Sequence, residues 1–355
     1  MTAGWLEYVT IFCGSAVLCT MLVPVAIRIA RRSGWLDRPV GHKSQTSPVP
    51  YLGGVAIVLT FSLAVGAEWL VRREAGGHRE LGIVLSLAVC LALLGLLDDL
   101  KNLPPWPRLV IEVLSGFVLW WMGVGVGLTG HYLVDMGLTI LWVVGITNAF
   151  NLLDNMDGLA AGLVSITSAT YFAIAVANGQ FLVASLCAGL AGCSIGFLRQ
   201  NRHPAQIYMG DGGALFLGFL VSYLGLKLKV SGDGIQTFLV PVLACSIAVL
   251  DTTLVTVARI STGRSAFQGG RDHVSHRLVH LGLPVPVAVG VIHTAAAAIS
   301  VLSFVSNRVD PASVWIIGIL VSVLLIGVGV LLLTVPVYPE SRRREYRLIG
   351  YPKEG

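Results

Sequence analysis

Long apolar stretches recur from one end of the chain to the other, and they restrict its fold more than any other feature. A helix needs roughly 20 apolar residues to cross the hydrocarbon core of a bilayer, and the mean hydropathy of +0.80 is typical of membrane proteins. The candidate spans lie near residues 6–30, 51–71, 81–97, 107–127, 132–149, 158–177, 180–198, 212–229, 235–258, 284–306 and 312–335. The sequence therefore predicts an all-α, polytopic membrane protein with about eleven transmembrane helices. Fewer, longer and tilted helices are the alternative.

Lys and Arg residues predict the orientation, because the inner loops of membrane proteins are enriched in them. If the amino terminus faces out, the inner segments carry about three times as many of these residues as the outer segments. We therefore expect the amino terminus outside, the carboxyl terminus inside, one transmembrane domain over residues 1–338 and a basic inner tail over residues 339–355. Topology and contact with membrane lipid account for the net charge of +5, so no nucleic-acid partner is expected.

Carboxylates lie at the inner ends of several predicted transmembrane spans. Asp98 and Asp99 are adjacent and repel each other, so both stay ionised only beside a cation. Mg²⁺, which takes oxygen ligands and keeps several waters, meets this need. A solvated helix end is the alternative, but acidic residues at the carboxyl end of a helix oppose its dipole. Asp211 lies in Met209-Gly-Asp-Gly-Gly213, where glycines let the backbone approach a phosphate closely.

An Asn-rich segment carries the second carboxylate pair. Its sequence is Asn148-Ala-Phe-Asn151-Leu-Leu-Asp154-Asn155-Met-Asp157-Gly158. On a helix, the three Asn residues would share one face, and the two Asp residues would be neighbours three positions apart. Helix capping would use one such residue and not five. The segment is therefore predicted to bind a ligand, with amides that read a base or sugar and carboxylates that hold a metal or accept from hydroxyls.

Cations and histidines follow in two further segments. His42 and Lys43 precede Pro48-Val-Pro-Tyr-Leu-Gly-Gly54, and the later segment contains Arg271, Asp272, His273, His276 and Arg277. Arg grips phosphate bidentately, whereas two His residues with no Cys or Glu nearby leave a zinc site incomplete. Asp251 lies inside a predicted span and needs a partner, for which Arg259 is the nearest candidate.

These motifs, in this order, resemble the polyprenyl-phosphate N-acetylhexosamine-1-phosphate transferase family. The most specific stretches are Asn151-Leu-Leu-Asp-Asn-Met-Asp-Gly-Leu159 and Tyr208-Met-Gly-Asp211, and the resemblance covers nearly the whole chain. Two departures are visible. Tyr51 replaces the Arg of the family's Pro-x-Pro-Arg-Leu-Gly-Gly, and His273-Val-Ser-His276 replaces a denser His motif. The second departure argues against the pentapeptide branch and leaves the exact sugar open. Within the family, the chain most resembles the undecaprenyl-phosphate GlcNAc-1-phosphate transferase branch.

The resemblance implies a role for each motif. It implies that Asp99 and Asp211 hold Mg²⁺ (with Mn²⁺ as a substitute) and that Asp98 lies beside the lipid phosphate. Nucleotide contact or support of the metal is implied for Asp154, Asp157, Asn148, Asn151 and Asn155. Binding of pyrophosphate and sugar is implied for Lys43, Arg271, His273, His276 and Arg277, and Asp251 would line the nucleotide-sugar cavity. The expected catalytic set is Asp98, Asp99, Asp154, Asp157, Asp211 and His273.

The reaction implied is attack by undecaprenyl or another polyprenyl phosphate on a UDP-N-acetylhexosamine, with release of UMP. The expected location is the cell (inner) membrane, with the active site on the cytoplasmic face. A one-step and a two-step route both stay open, as do the sugar, the prenyl length and a homodimer. Intramembrane acids also mark ion-coupled transporters. However, a transporter would place its acids near the midplane, whereas here nearly all of them lie at one face.

Overall fold

Helices make up almost all of the regular structure. The computed structural model describes residues 4–37, 48–71, 78–230, 235–266 and 269–337. Within these ranges lie helices α1 (Trp5–Ser33), α2 (Gly53–Val71), α3 (His78–Lys101), α4 (Trp106–Trp121), α5 (Tyr132–Leu153), α6 (Leu159–Ala177), α7 (Phe181–Asn201), α8 (Gly210–Lys227), α9 (Ile235–Ala244), α10 (Ser246–Ser261), α11 (Val274–His280), α12 (Val285–Ser306) and α13 (Pro311–Leu333). Two short strands, β1 (Leu36–Asp37) and β2 (Val49–Pro50), pair in antiparallel fashion.

The prediction of an all-α polytopic membrane protein is confirmed. Among the described residues, 8 helices are long and apolar enough to cross a bilayer, and counting the bent pair α9–α10 as one span gives 9. The two helices of that pair meet at an angle of 72°. Every predicted span coincides with helix, but α4 and α8 are not among the 8. The count of about eleven and the orientation of the termini stay predictions.

Helix α8 lies at the centre of the bundle and is buried along nearly its whole length. It packs against α2, α3 and α5, and glycines let two of these helices approach it closely. Gly54 of α2 faces Gly213 of α8, and Gly95 of α3 lies against the backbone of Asp211. A Cβ atom at Gly54 or Gly95 would overlap backbone atoms of α8. Small residues allow such close helix contacts in membrane proteins, and here they fix the first turn of α8 against its neighbours.

Polar contacts join helix termini at one end of the bundle. There, Glu80 at the start of α3 accepts a hydrogen bond from Lys227 at the end of α8, with 2.7 Å between the atoms. Asn178, just after α6, donates to Asn307, just after α12, over 3.0 Å. We call the opposite end, where α3, α5, α7 and α10 finish and α4, α6 and α8 begin, the site end. All the acidic motifs of the sequence lie there.

The two-stranded ribbon lies beside the segment that leads into α8. Leu36 pairs with Pro50 and Asp37 with Val49. The Tyr51 hydroxyl donates to the Asp37 carboxylate over 2.8 Å. The backbone N–H of Tyr208 donates to the Pro50 carbonyl, also over 2.8 Å. The ribbon therefore contributes to the position of Met209 and the start of α8.

Candidate active site

The amino end of α8 is held by a carboxylate from another helix. Asp99, in the last turn of α3, accepts from the backbone N–H of Asp211 over 3.1 Å and from that of Gly212 over 3.5 Å. The first N–H groups of a helix have no partner within it, and a negative charge there is favourable. Gly210 has a φ of 72°, and a Cβ at this position would overlap an Asp99 carboxylate oxygen. Glycine at position 210 is therefore needed for this cap to form.

Arg108, in the first turn of α4, lies among the acidic and amide groups of three helices. Its guanidinium is 3.5 Å from the Asp211 carboxylate and 3.8 Å from that of Asp98. It also donates to the Asn151 side-chain oxygen over 3.4 Å, and the Asn151 amide donates to Asp211 over 2.8 Å. Asp98 in turn accepts from the backbone N–H of Leu103 over 2.6 Å. The structure thus brings Asp98, Asp211 and Asn151 together around one cation.

Sequence reasoning missed Arg108 as a site residue, because the positive-inside rule already explained an arginine at an inner loop. Asn148, by contrast, does not join this group. Its amide donates to the Glu112 carboxylate, a group that is fully buried on α4. Glu112 thus contacts Asn148 of α5, and its carboxylate is also 4.0 Å from Arg108.

The connection between α5 and α6 is not a continuous helix, which the shared face of the three Asn residues would require. Helix α5 ends at Leu153, Asp154 follows it, and α6 begins at Leu159 after Gly158 with a φ of 77°. The expected common face for Asn148, Asn151 and Asn155 is therefore wrong, since Asn155 lies beyond the helix. The same break separates Asp154 and Asp157, which are not neighbours on a helix. The glycine in left-handed conformation marks the turn that a purely helical spacing overlooked.

The polar residues of this connection have three different environments. Asn155 donates to the Leu152 carbonyl over 2.7 Å and accepts from the Ser275 hydroxyl over 2.6 Å. Asp157 pairs with His203, a residue that the sequence analysis did not select. Burial raises the pKa of the Asp154 carboxyl to about 8, and the negative charges of Asp211, Asp99 and Asp157 add to the rise. Asp154 therefore lies close enough to Asp99, Asp157 and Asp211 for their charges to act on it, and we call these four residues the acidic centre.

Helix α10 positions residues 271–277, which we call the histidine segment, through two buried pairs. His273 Nδ1 lies 2.7 Å from the Asp251 carboxylate, which also accepts from the backbone N–H of Val274 over 2.7 Å. Arg259 donates from two nitrogens to the Asp272 carboxylate, over 2.8 and 2.9 Å. The expectation that Arg259 would pair with Asp251 is wrong, because the chain folds back and places Asp272 beside the arginine and His273 beside Asp251.

The remaining residues of this segment divide between the surface and the interior. Arg271 is exposed. The His276 ring lies 6.0 Å from that of His273, and burial lowers the pKa of His276 to about 4, with the positive charges of His273 and Arg271 adding to the effect. Arg277 is 2% exposed and donates to the carbonyls of Asp272, Leu332 and Val335. It therefore anchors the end of α13, which corrects its assignment to substrate binding. Lys43 lies outside the described residues.

Comparison with known proteins gives a consistent assignment. The model of the protein family described as "Glycosyl transferase family 4" matches residues 81–229. A probable undecaprenyl-phosphate N-acetylglucosaminyl 1-phosphate transferase of Bacillus subtilis is 30% identical over 332 residues, 90% of each chain. The chain belongs to the polyprenyl-phosphate N-acetylhexosamine-1-phosphate transferase family. It is therefore a multi-pass membrane transferase.

Two further relatives show the breadth of this transferase family. A decaprenyl-phosphate N-acetylglucosaminephosphotransferase of Mycobacterium tuberculosis is 29% identical over 354 residues, covering 87% of this chain and 85% of the relative. A phospho-N-acetylmuramoyl-pentapeptide-transferase of Limosilactobacillus fermentum is 32% identical over 234 residues, covering 60% of this chain and 72% of the relative. The matched family region, residues 81–229, contains Asp98, Asp99, Arg108, Asn151 and Asp211.

Proposed function

We propose that this transferase moves N-acetylglucosamine 1-phosphate from UDP-N-acetylglucosamine to undecaprenyl phosphate or a related polyprenyl phosphate and releases UMP. The Bacillus subtilis and Mycobacterium tuberculosis relatives, both named for N-acetylglucosamine, match this chain over 90% and 87% of its length. Relatives named for the pentapeptide match between 60% and 75% of it. Phospho-MurNAc-pentapeptide and other UDP-N-acetylhexosamines are the alternative donors. The site would face the cytoplasm from the cell membrane, where the prenyl tail stays in lipid.

This proposal rests on one observation, the contacts of Arg108 with Asp98, Asp211 and Asn151. Two anionic substrates must approach each other, so neutralising charge is the main catalytic task. The contacts from Arg108 to carboxylates, at 3.5 and 3.8 Å, are longer than the roughly 2.8 Å of strong charge-assisted bonds. Its donors are therefore loosely held, and the guanidinium is available to a substrate phosphate. Asp98 would orient the lipid phosphate, which has a second pKa near 6 and needs no strong base at neutral pH.

The acidic residues fit a Mg²⁺ ion. Asp99 and Asp211 supply oxygen donors, and Asp98 lies next to them. The Asp211 side chain is 37% exposed and so reachable by an ion. Over the parts of the chain that the structure describes, no group of three or more His, Cys, Asp or Glu forms a metal cluster. Few protein ligands suit Mg²⁺, which keeps waters and takes substrate phosphate oxygens. When bound, the ion would neutralise charge on the pyrophosphate.

The test is UMP release from purified protein. The protein is incubated with undecaprenyl phosphate and MgCl₂, and with UDP-GlcNAc, UDP-GalNAc or UDP-MurNAc-pentapeptide in separate reactions. We expect UMP only when the acceptor, UDP-GlcNAc and Mg²⁺ are all present, and none after addition of EDTA. UMP from another donor would reassign the sugar. Folded protein that releases no UMP from any donor would contradict the proposal and make a different nucleotide-sugar donor the next hypothesis to test, before an ion-coupled transporter.

Two variants connect the activity to the site. Asp211→Asn should abolish Mg²⁺-dependent UMP release while the protein still inserts and folds. Asp310→Asn is the matched control, because Asp310 caps the start of α13 and Asn is an equally good cap. The 23 residues of α13 separate Asp310 from the site end. Normal turnover by the Asp211 variant would remove this residue from the metal site.

A further inference from the structure

Two Asp–His pairs of the same construction lie at the site end, and only one of them is in the histidine segment. In the second pair, His203 Nδ1 lies 2.8 Å from the Asp157 carboxylate, which also accepts from the backbone N–H of Ala205 over 3.0 Å. The pair of Asp251 and His273 has the same arrangement, a carboxylate shared between a ring nitrogen and a backbone N–H. A carboxylate at Nδ1 fixes the ring and makes Nε2 the acceptor in neutral histidine.

The two pairs differ in exposure. The side chains of His273 and Asp251 are 4% and 1% exposed, whereas those of His203 and Asp157 are 42% and 17% exposed. An exposed pair of this kind contributes little to folding stability. Stability therefore does not account for an exposed imidazole held in one orientation beside the acidic centre.

The segment that carries His203 is fixed at both of its ends. Asn201, which is 2% exposed, donates to the Ile207 carbonyl over 2.9 Å and accepts from the Gly158 N–H over 3.0 Å. The segment continues directly into Gly210 and Asp211. His203 is thus joined through Asp157 to the α5–α6 connection and through its own chain to the start of α8. Groups supported in this way are pre-positioned for ligand binding.

The neighbouring charges indicate which part of a ligand His203 would meet. Burial raises the pKa of the Tyr208 hydroxyl, and the negative charges of Asp157, Asp37 and Asp154 add to the rise. Without a bound cation, these carboxylates disfavour a phosphate group close to His203. A hydroxyl group, by contrast, donates readily to a neutral imidazole nitrogen. The nucleotide-sugar donor of the proposed function carries such hydroxyls on both its hexosamine and its ribose.

We propose that His203, oriented by Asp157, is a specificity-determining residue that accepts a hydrogen bond from a ring hydroxyl of the nucleotide-sugar donor. This inference rests on the proposed function. Loss of one neutral hydrogen bond corresponds to a roughly 5- to 10-fold loss of affinity. The effect should be confined to the donor, because the isoprenoid acceptor has no ring hydroxyl.

The experiment compares wild type with His203→Ala, His203→Gln and the control His131→Ala, an exposed histidine before α5 at the opposite end. UMP release gives kcat and the KM values for UDP-GlcNAc and undecaprenyl phosphate. We expect His203→Ala to raise the donor KM roughly 5- to 10-fold, with kcat and the acceptor KM unchanged. The Gln variant, whose amide oxygen can accept, should recover part of the loss, and His131→Ala should match wild type.

Equilibrium binding without acceptor identifies the hydroxyl. If His203 meets the hexosamine, His203→Ala weakens UDP-GlcNAc but not UMP, whereas a ribose contact weakens both. If the His203→Ala variant is active and its donor KM and Kd are unchanged, the inference about His203 is overturned while the proposed function stands. The same holds if kcat or the acceptor KM changes and the donor KM does not. Wild-type protein that neither binds nor turns over UDP-GlcNAc would overturn the proposed function and this inference together.

Discussion

The buried pair of Arg259 and Asp272 should determine whether the histidine segment keeps its place. Asp272 is 0% exposed and Arg259 is 2% exposed, and two short bonds join them. Arg259 also donates to the Ala266 carbonyl over 2.7 Å, so it holds both sides of the loop that follows α10. Removing the arginine would leave a carboxylate in the interior without this partner.

Arg259→Met removes the charge and keeps an unbranched apolar side chain of similar length. Removing one partner of a buried ion pair typically costs about 3 to 5 kcal/mol, because the remaining charge stays buried after losing that partner. In a large domain this corresponds to a fall in the apparent unfolding temperature on the order of 5 to 10 °C. Because Asp272 directly precedes His273, the variant should also lose most UMP release at temperatures where it is still folded.

Thermal unfolding in detergent, followed by size-exclusion chromatography with fluorescence detection, measures this change. Arg271→Met is the stability control, since Arg271 is an exposed arginine on the same segment and should leave the unfolding temperature unchanged. The double variant Arg259→Met with Asp272→Leu should recover much of the loss, because an apolar pair can replace a buried ion pair. An Arg259→Met protein that unfolds within about 1 °C of wild type would refute the reasoning.

Two other predictions follow from the site geometry. Gly210→Ala should lower the yield of folded protein and abolish UMP release, because a side chain at a φ of 72° is strained and its Cβ would overlap Asp99. The control Gly127→Ala should be tolerated, because a Cβ at Gly127 would lie in open space. Size-exclusion chromatography measures the yield of folded protein for both variants. The pKa of Asp154 rises from 3.8 to about 8 on folding, so its contribution to stability is present below about pH 4 and lost as pH rises to about 8. In EDTA, the unfolding temperature of wild type should therefore fall between about pH 4 and pH 8, and that of Asp154→Asn should fall less. Equal dependence of the two unfolding temperatures on pH would contradict the raised pKa of Asp154.

Hydropathy was enough to locate the helices, because the length of an apolar stretch needed to cross a bilayer is a strong physical constraint. The motifs at the ends of those helices also indicated which residues to examine, and the structure brings Asp98, Asn151 and Asp211 together. The sequence could not show that Asp99 caps α8, since that contact depends on the close packing of α3 against α8 at Gly95 and Gly210.

The residues that sequence reasoning missed or misassigned have partners far away along the chain. Asp157 and His203 are 46 positions apart, and Asp251 and His273 are 22 apart. Helical spacing relates residues along one helix, so it suggested Arg259, two turns after Asp251, and gave no signal for His203. A histidine directly before the segment that leads into Asp211 was the one available hint.

The site end contains two kinds of arginine that look alike in a sequence, and contact geometry separates them. Arg259 makes two bonds to one carboxylate, at 2.8 and 2.9 Å, which uses the planar fork of the guanidinium and cannot be copied by lysine. Arg108 is shared loosely among Asp98, Asp211 and Asn151, as a point charge could be. Arg108→Lys should therefore keep measurable UMP release and wild-type stability, whereas Arg259→Lys should lose stability nearly as much as Arg259→Met. Equal tolerance of lysine at both positions, measured by unfolding temperature and kcat, would contradict this division between a structural and a substrate-facing arginine.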